Sequence, residues 1–355
     1  MLAGQWQLIW WRFKKHRLAL VTSVVLGCFY FMALFAEFLA PMNPYTADHL
    51  RVFAPPQRIY FDGLQPFVYG ITQERNRVTR RLEHVEDRNV RYDLHLFVRG
   101  FDYKVLGLFP SDVHLFGTDT PDAVFNVLGA DRLGRDFLSR LIFSFRISLS
   151  IGLVGVTISL VLGVLLGGAS AYGGPWVDSI IQRVIELLRS IPTLPLWLSL
   201  GAVVPPAWGM LQVYFAITVI LSLIGWTTVA RQVRGKFLVL REEDFVVAAR
   251  LAGTGPMKVI VRHMVPSFMS HIIAVTTLAI PGMILAETAL SFLGLGLRPP
   301  AISLGVMLKD AQNVLTLADA PWLLLPGLCV LVIVLAFNFL GDGLRDAADP
   351  YSIKR

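Results

Sequence analysis

The feature that most constrains this chain is a series of apolar runs, each long enough to cross a lipid bilayer. Residues 18–40 form the first, 23 residues interrupted by one acid, Glu37. Further runs occupy residues 147–172, 176–204, 214–230, 267–293 and 322–340. A helix rises about 1.5 Å per residue, so roughly 20 apolar residues cover the ~30 Å hydrocarbon core. Composition agrees: 55% of the 355 residues are hydrophobic and 16% charged, where soluble domains hold about 25% charged. Mean hydropathy is +0.60. The chain reads as an all-α polytopic membrane protein with six transmembrane helices. The first run is longer than the apolar core of a signal peptide, and Pro41 fits poorly beside a cleavage site, so it reads as a mature helix.

Charge orients the runs. The net charge is +7, yet residues 41–145 carry 13 Lys/Arg and 13 Asp/Glu. The excess lies in the N-terminal segment and in residues 231–266, as the positive-inside rule expects of cytoplasmic segments. It is therefore no nucleic-acid signal. Six spans with both termini inside keep residues 241–266 cytoplasmic. Residues 1–17 set Leu2, Trp6, Ile9, Trp10 and Phe13 near one helical face, with Arg12, Lys14, Lys15 and Arg17 following. This reads either as a helix lying on membrane lipid in the interface or as a plain topogenic signal.

Residues 41–140 are a polar insertion long enough to fold as a small mixed α/β domain and to be translocated whatever its arginines. Alternation predicts a hairpin from Arg58–Phe61 through Asp62-Gly63 to Phe67–Ile71. A second runs from Tyr92 to Val98, turns near Gly100, and returns through Tyr103. Residues 72–91 are open between helix and loop.

Several side chains are candidates for function. Asp178, Arg183, Glu186 and Arg189 lie in the first half of the third run, before Pro192 and Pro195. Glu186 is three residues from each arginine, spaced for pairing on one face, as a structural ion-pair row or as a gate. Glu287 is a carboxyl at membrane depth, either a functional group by default or a packing anchor. Gly163, Gly167 and Gly168 offer a small-residue face for close helix packing. Gly235-Lys236 lacks the rest of a P-loop, so this chain should not hydrolyse ATP. No HExxH, GxSxG or C-x-x-C pattern is present, and Cys28 and Cys329 lie in apolar runs without metal-ligand spacing. Catalytic, cofactor and metal sites are accordingly not expected.

Residues 241–266 stand apart as polar sequence between two apolar runs. Glu242, Glu243 and Asp244 suit a helix N-terminus. Gly253 stands where a helix ends, and Pro256 where the next begins. Phe245, Ala248, Ala249 and Leu251, then Met257, Ile260 and Met264, form apolar faces that call for a partner.

This segment resembles the EAA loop of the membrane subunits of ATP-binding-cassette importers. Ala248, Ala249, Gly253 and Pro266 match that pattern at its spacing, while Val247, His263 and Val265 replace its other residues. Three further stretches are similar to the oligopeptide/dipeptide permease branch: GADRLGRDFLSR at 129–140, ILAETALSFLGLG at 284–296 and GDGLRDAADP at 341–350. Ala130 stands for a threonine, and the insertion is longer than the branch usually carries. The resemblance covers nearly all of the chain except 41–116.

The resemblance implies a type I importer permease of the bacterial inner membrane. Its parts would be an interfacial helix at 1–17, a first span at 18–40, a periplasmic insertion at 41–140, a permease core at 141–341 and a cytoplasmic tail at 342–355. It implies coupling to the ATPases through Glu243, Asp244, Ala248, Ala249, Gly253 and Pro266. Arg183, Glu186, Arg189 and Glu287 would be pathway or gate residues. ATP and Mg would bind partner subunits and not this chain. The partners would be a homologous permease forming a heterodimer, two ATP-binding subunits and a periplasmic solute-binding protein. The substrate would be a dipeptide or oligopeptide, or a related solute such as an oligosaccharide. The competing class is an ion-coupled secondary transporter with Glu287 as proton site, which predicts inverted repeats.

Overall fold

The computed structural model describes residues 5–75, 82–105, 107–120, 123 and 125–348. Leu2, Asp349 and Pro350, which entered the expectations above, lie outside them. Among the described residues five helices are long and apolar enough to cross a membrane. The first element is α1 (Gln5–Phe13), followed by the span α2 (Arg17–Leu34) and a short α3 (Ala36–Leu39). Arg146 closes the end of α2. Its guanidinium donates to the Ala33 and Leu34 carbonyls at 2.9 and 3.2 Å, and to both Glu37 oxygens at 2.5 and 2.6 Å. These bonds satisfy carbonyls that a helix end leaves without partners and neutralise the acid of the first run.

The insertion is an antiparallel meander of β1 (Tyr60–Asp62), β2 (Gln65–Arg75), β3 (Leu82–Val105) and β4 (Phe109–Thr118). The small sheet fits the expected insertion, whose described residues also hold a 3-10 turn at His49–Arg51 and the first residues of the helix that begins at Phe137. The first hairpin turns at Gly63, φ +64. The second does not turn at Gly100. Strand β3 continues to Val105, and the reversal falls at Gly107, φ +75. Gly100 serves packing instead, because a Cβ there would stand 2.6 Å from the ring of buried His114. Residues 72–91 are strand at both ends, with 76–81 outside the described set.

The next span is α4 (Phe137–Tyr172). The expected third span is two helices, α5 (Gly174–Ser190) and α6 (Thr193–Val203). Charges every turn make α5 amphipathic, and Pro192 ends it, since a residue before proline avoids the helical region. The span α7 (Met210–Leu240) leads into α8 (Asp244–Leu251) and α9 (Pro256–Val259). A π-helical turn, Ile260–Met264, and a three-residue α10 (Val265–Ser267) connect to the span α11 (Met269–Phe292). Short helices α12 (Leu304–Leu308) and α13 (Val314–Asp319) precede the last span, α14 (Leu325–Ala348).

The backbone divides into two compact units, one of residues 1–26, 151–290 and 332–355, the other of 27–150 and 291–331. Within the first, the glycines of α4 let α7 approach closely. A Cβ at Gly163 would lie 2.5 Å from Val229, and one at Gly167 would lie 2.5 Å from the Ala230 carbonyl. Ser222 Oγ on α7 donates to the Gly155 carbonyl of α4 at 3.0 Å. Small residues thus replace side-chain interdigitation with backbone contact and cross-helix hydrogen bonds, the usual device where lipid supplies no hydrophobic drive.

Within the second unit, residues 129–140 form a buried polar knot. Asp131, 2% exposed, accepts from the Leu133 and Arg135 amides at 2.8 and 3.0 Å. It also pairs with Arg135 at 2.7 Å and Arg140 at 3.1 Å. Asp136 caps α4 by accepting from the Ser139 amide at 2.7 Å and also receives Asn126 Nδ2 at 3.3 Å. Burial pushes its carboxyl up to about 6. Gly134 is left-handed at φ +71, and a Cβ there would overlap the Asp48 carbonyl. The knot therefore fixes the loop at 48–57 against the start of α4.

Candidate functional site

The elbow at 241–266 is built on one cluster of buried side chains. Val246 of α8, Val259 of α9, and Ile260 and Met264 of the π turn are each no more than 4% exposed. They pack with Ala171, Val229, Val233, Phe237, Phe268 and Ile272. Phe237 and Phe268 meet edge to face, centroids 5.3 Å apart. Gly168 of α4 makes room: a Cβ there would lie 3.2 Å from both Ile260 and Phe237. The elbow is thus seated directly on α4, α7 and the start of α11.

Local chemistry sets the turn. Glu243 holds the N-cap position with extended backbone, and its carbonyl accepts from the Val246 and Val247 amides at 2.9 and 3.0 Å. Its side chain makes no cap bond, and Asp244 opens α8 in solvent. At the other end Gly253 is left-handed, φ +77. Its amide donates to the Arg250 carbonyl at 3.0 Å, and the Thr254 amide to that of Ala249 at 3.1 Å. This pair of bonds is the Schellman ending. Pro256 then starts α9, where its missing N–H costs nothing. Pro266 sits in the first turn of α10, just past the π turn.

The outward face differs from the one the sequence predicts. Phe245, Val247, Leu251, Met257 and Val261 are exposed, Leu251 at 84%. Ala248 is exposed with them. Ile260 and Met264, expected on this face, point into the cluster, and Ala249 is half-buried against it. Helical spacing gives two faces per helix, and apolar residues stand on both, so spacing alone does not say which one the internal cluster takes.

The pathway candidates are not brought together. Arg183 and Glu186 pair at 2.9 Å on the exposed side of α5. Arg189 turns away and donates to Thr228 Oγ1 at 3.2 Å. Glu287 on α11 is fully buried. A stronger contact links the helices instead. Asp178 of α5 receives both Nε and Nη2 of Arg234 on α7, each at 2.6 Å. Ser170 of α4 donates to Asp178 as well, and Gln182 donates to Ser170 at 3.1 Å. This bidentate pair escaped sequence reading because its partners are 56 residues apart. An acid at the head of an amphipathic helix was the signal available.

What such a site can do is mechanical. An apolar ridge is presented to solvent from a base that is continuous with three membrane helices. Among the described residues no group of three or more His, Cys, Asp or Glu could hold a metal ion.

The model of binding-protein-dependent transport system inner membrane components matches residues 159–353. That of the N-terminal transmembrane domain of oligopeptide transport permease C matches residues 4–56. Among curated relatives, a dipeptide transport system permease protein of Lactococcus lactis is 31% identical over 96% of this chain and 89% of its own. A protein of Brucella ovis described as a peptide permease is 37% identical over 68% of this chain and 78% of its own. A dipeptide transport system permease protein of Bacillus subtilis is 37% identical over 65% and 70%.

Proposed function

This chain belongs to the family of binding-protein-dependent transport system inner membrane components, and on that premise we propose that it is the permease subunit of an ATP-driven importer of dipeptides or oligopeptides. The peptide names of its relatives support that substrate class. In this reading a homologous permease supplies the other half of the pathway, two ATP-binding subunits hydrolyse ATP, and a solute-binding protein delivers the peptide. Both termini and the elbow are cytoplasmic, and the insertion is periplasmic.

One observation carries the proposal: the solvent-facing ridge of Phe245, Val247, Leu251, Met257 and Val261 on an elbow whose other face is buried. Exposed apolar side chains in a fixed arrangement mark a binding surface. A groove on one ATP-binding subunit receives the ridge, and the homologous permease engages the other. When the ATP-binding subunits close, the elbow moves, and its buried residues carry the motion into α4, α7 and α11 as a rigid shear. Glu243, Asp244, Ala248 and Gly253 shape that contact, Ala249 packs on the inner side, and exposed Pro266 starts the helix that leads into the span.

The test is a double substitution, Leu251→Asp with Met257→Asp. Both side chains are exposed, so the fold should change by no more than about 0.5 kcal/mol each. The variant is expected to insert and stay folded, to lose its ATP-binding subunits on purification, and to abolish uptake. Retention of those subunits at full stoichiometry would remove the elbow as the docking site.

A further inference from the structure

We propose that α1 and the basic turn after it form a docking surface for anionic phospholipid headgroups, a partner distinct from the importer subunits; the inference rests on the membrane-embedded reading of the chain but not on its substrate or its ATP-binding partners. Helix α1 is not a prolongation of α2. It ends at Phe13, and the turn is closed by the Lys15 amide on the Arg12 carbonyl at 3.0 Å and the His16 amide on that of Phe13 at 2.9 Å. Arg17 then opens α2, whose Ala19 amide donates to His16 Nδ1 at 3.2 Å. The break lets α1 fold back. Phe13, 5% exposed, packs against Ala19 and Ala347 of α14, with Ile9, Leu20, Leu340 and Leu344 around it.

That contact uses one side of α1 and leaves the other side outward. Trp10 and Trp11 are 52% and 58% exposed. Lys14, Lys15 and Arg17 are exposed beside them, and Lys14 Nζ stands 5.1 Å over the Trp10 ring. Asp346 of α14 reaches the turn, 4.0 Å from His16 Nε2. Along the sequence no acid occurs before Glu37. Position chooses the occupant. These cations flank the first residue of a membrane span, so they sit at headgroup depth, where tryptophan also partitions. A phosphate-bearing negative surface is the complement present at that depth, and each Lys or Arg held near it strengthens binding about fivefold.

The test uses the assembled importer in nanodiscs, with hydrogen exchange read on the backbone amides of residues 5–16. One lipid composition is phosphatidylcholine alone, the other contains one third phosphatidylglycerol. Exchange should slow with phosphatidylglycerol, and the slowing should fade at high salt. Soluble glycerol phosphate should not reproduce it, which separates a lipid surface from a free phosphate site. The Lys14→Gln, Lys15→Gln, Arg17→Gln variant should lose the response, on the order of a hundredfold for three cations. The matched Lys14→Arg, Lys15→Arg variant should keep it, which controls for folding. Equal exchange in the two compositions, or an equal response in wild type and the Gln variant, would overturn the proposal.

Discussion

Replacing Gly253 isolates the backbone cost of the elbow. The residue is left-handed at φ +77, and no heavy atom lies within 4 Å of where a Cβ would stand. A substitution there therefore meets no collision, and its cost is the left-handed geometry alone. For an ordinary L-residue that is about 1–2 kcal/mol. Asparagine visits this region more readily and should cost less. Valine, β-branched, should approach about 3 kcal/mol. Because 1.4 kcal/mol is about tenfold in an equilibrium, Gly253→Ala should reduce the competent elbow about fivefold to thirtyfold relative to its alternatives. The two Schellman bonds would loosen with it. The assay is parallel measurement of peptide uptake and ATP hydrolysis in proteoliposomes of the whole importer. Peptide moved per ATP should fall in the order Asn, Ala, Val, with the ATP-binding subunits still attached. Wild-type coupling in Gly253→Val, or equal loss in all three variants, would refute the reasoning.

Asp178→Asn should weaken the α5–α7 link by on the order of 1 kcal/mol, because the pair is about a quarter exposed and water screens it; a double-mutant cycle with Arg234→Gln that gives no coupling energy would dismiss the link. The Asp136 carboxyl, raised from 3.8 to about 6 by burial, prefers to be protonated in the folded state. Its contribution is full below pH 3.8 and is lost as pH rises through 6, by up to about 3 kcal/mol. Amide exchange in residues 126–140 should therefore be slower at pH 5 than expected from its pH 7.5 value, and Asp136→Asn should flatten that difference; a pH profile unchanged by the substitution would show that another group sets it. A cysteine at Arg75, near the end of β2, should be labelled from outside the inner membrane, and labelling only after lysis would reverse the orientation assigned to the whole chain.

Apolar length was enough to read five spans, because the bilayer sets a minimum that few soluble helices meet. The third run is divided in two for a physical reason. Asp178, Arg183, Glu186 and Arg189 recur every turn, so residues 174–190 have a polar side and form an amphipathic helix, and only Thr193–Val203 is apolar throughout. In the insertion, alternation located the strands, but glycine was ambiguous. Gly100 and Gly107 look alike in sequence, yet one faces the His114 ring and the other makes the turn. At the elbow, Gly253 and Pro256 are local signals and mark where the chain bends. Which face of α8 and α9 turns outward depends on the distant residues Phe237 and Phe268. The same holds for Arg234, whose partner no spacing rule could supply, and for the π turn, which has no residue signature of its own.

The π turn at Ile260–Met264 has a consequence for evolution as much as for mechanics. Each residue in a helix advances the side chains by about 100° around the axis. A π turn holds one residue more than an α turn, so it takes up an extra residue between α9 and α11 with little change in their rotational phase. Deleting a single residue here would return the segment to α-helical winding with the ridge still facing outward, because four residues at about 100° each carry the chain nearly as far around as five in the wider turn. A chain built this way can gain or lose one residue at the elbow while its ridge and its membrane span stay in place, and a comparison of paralogues should find gaps at this turn more often than within α11.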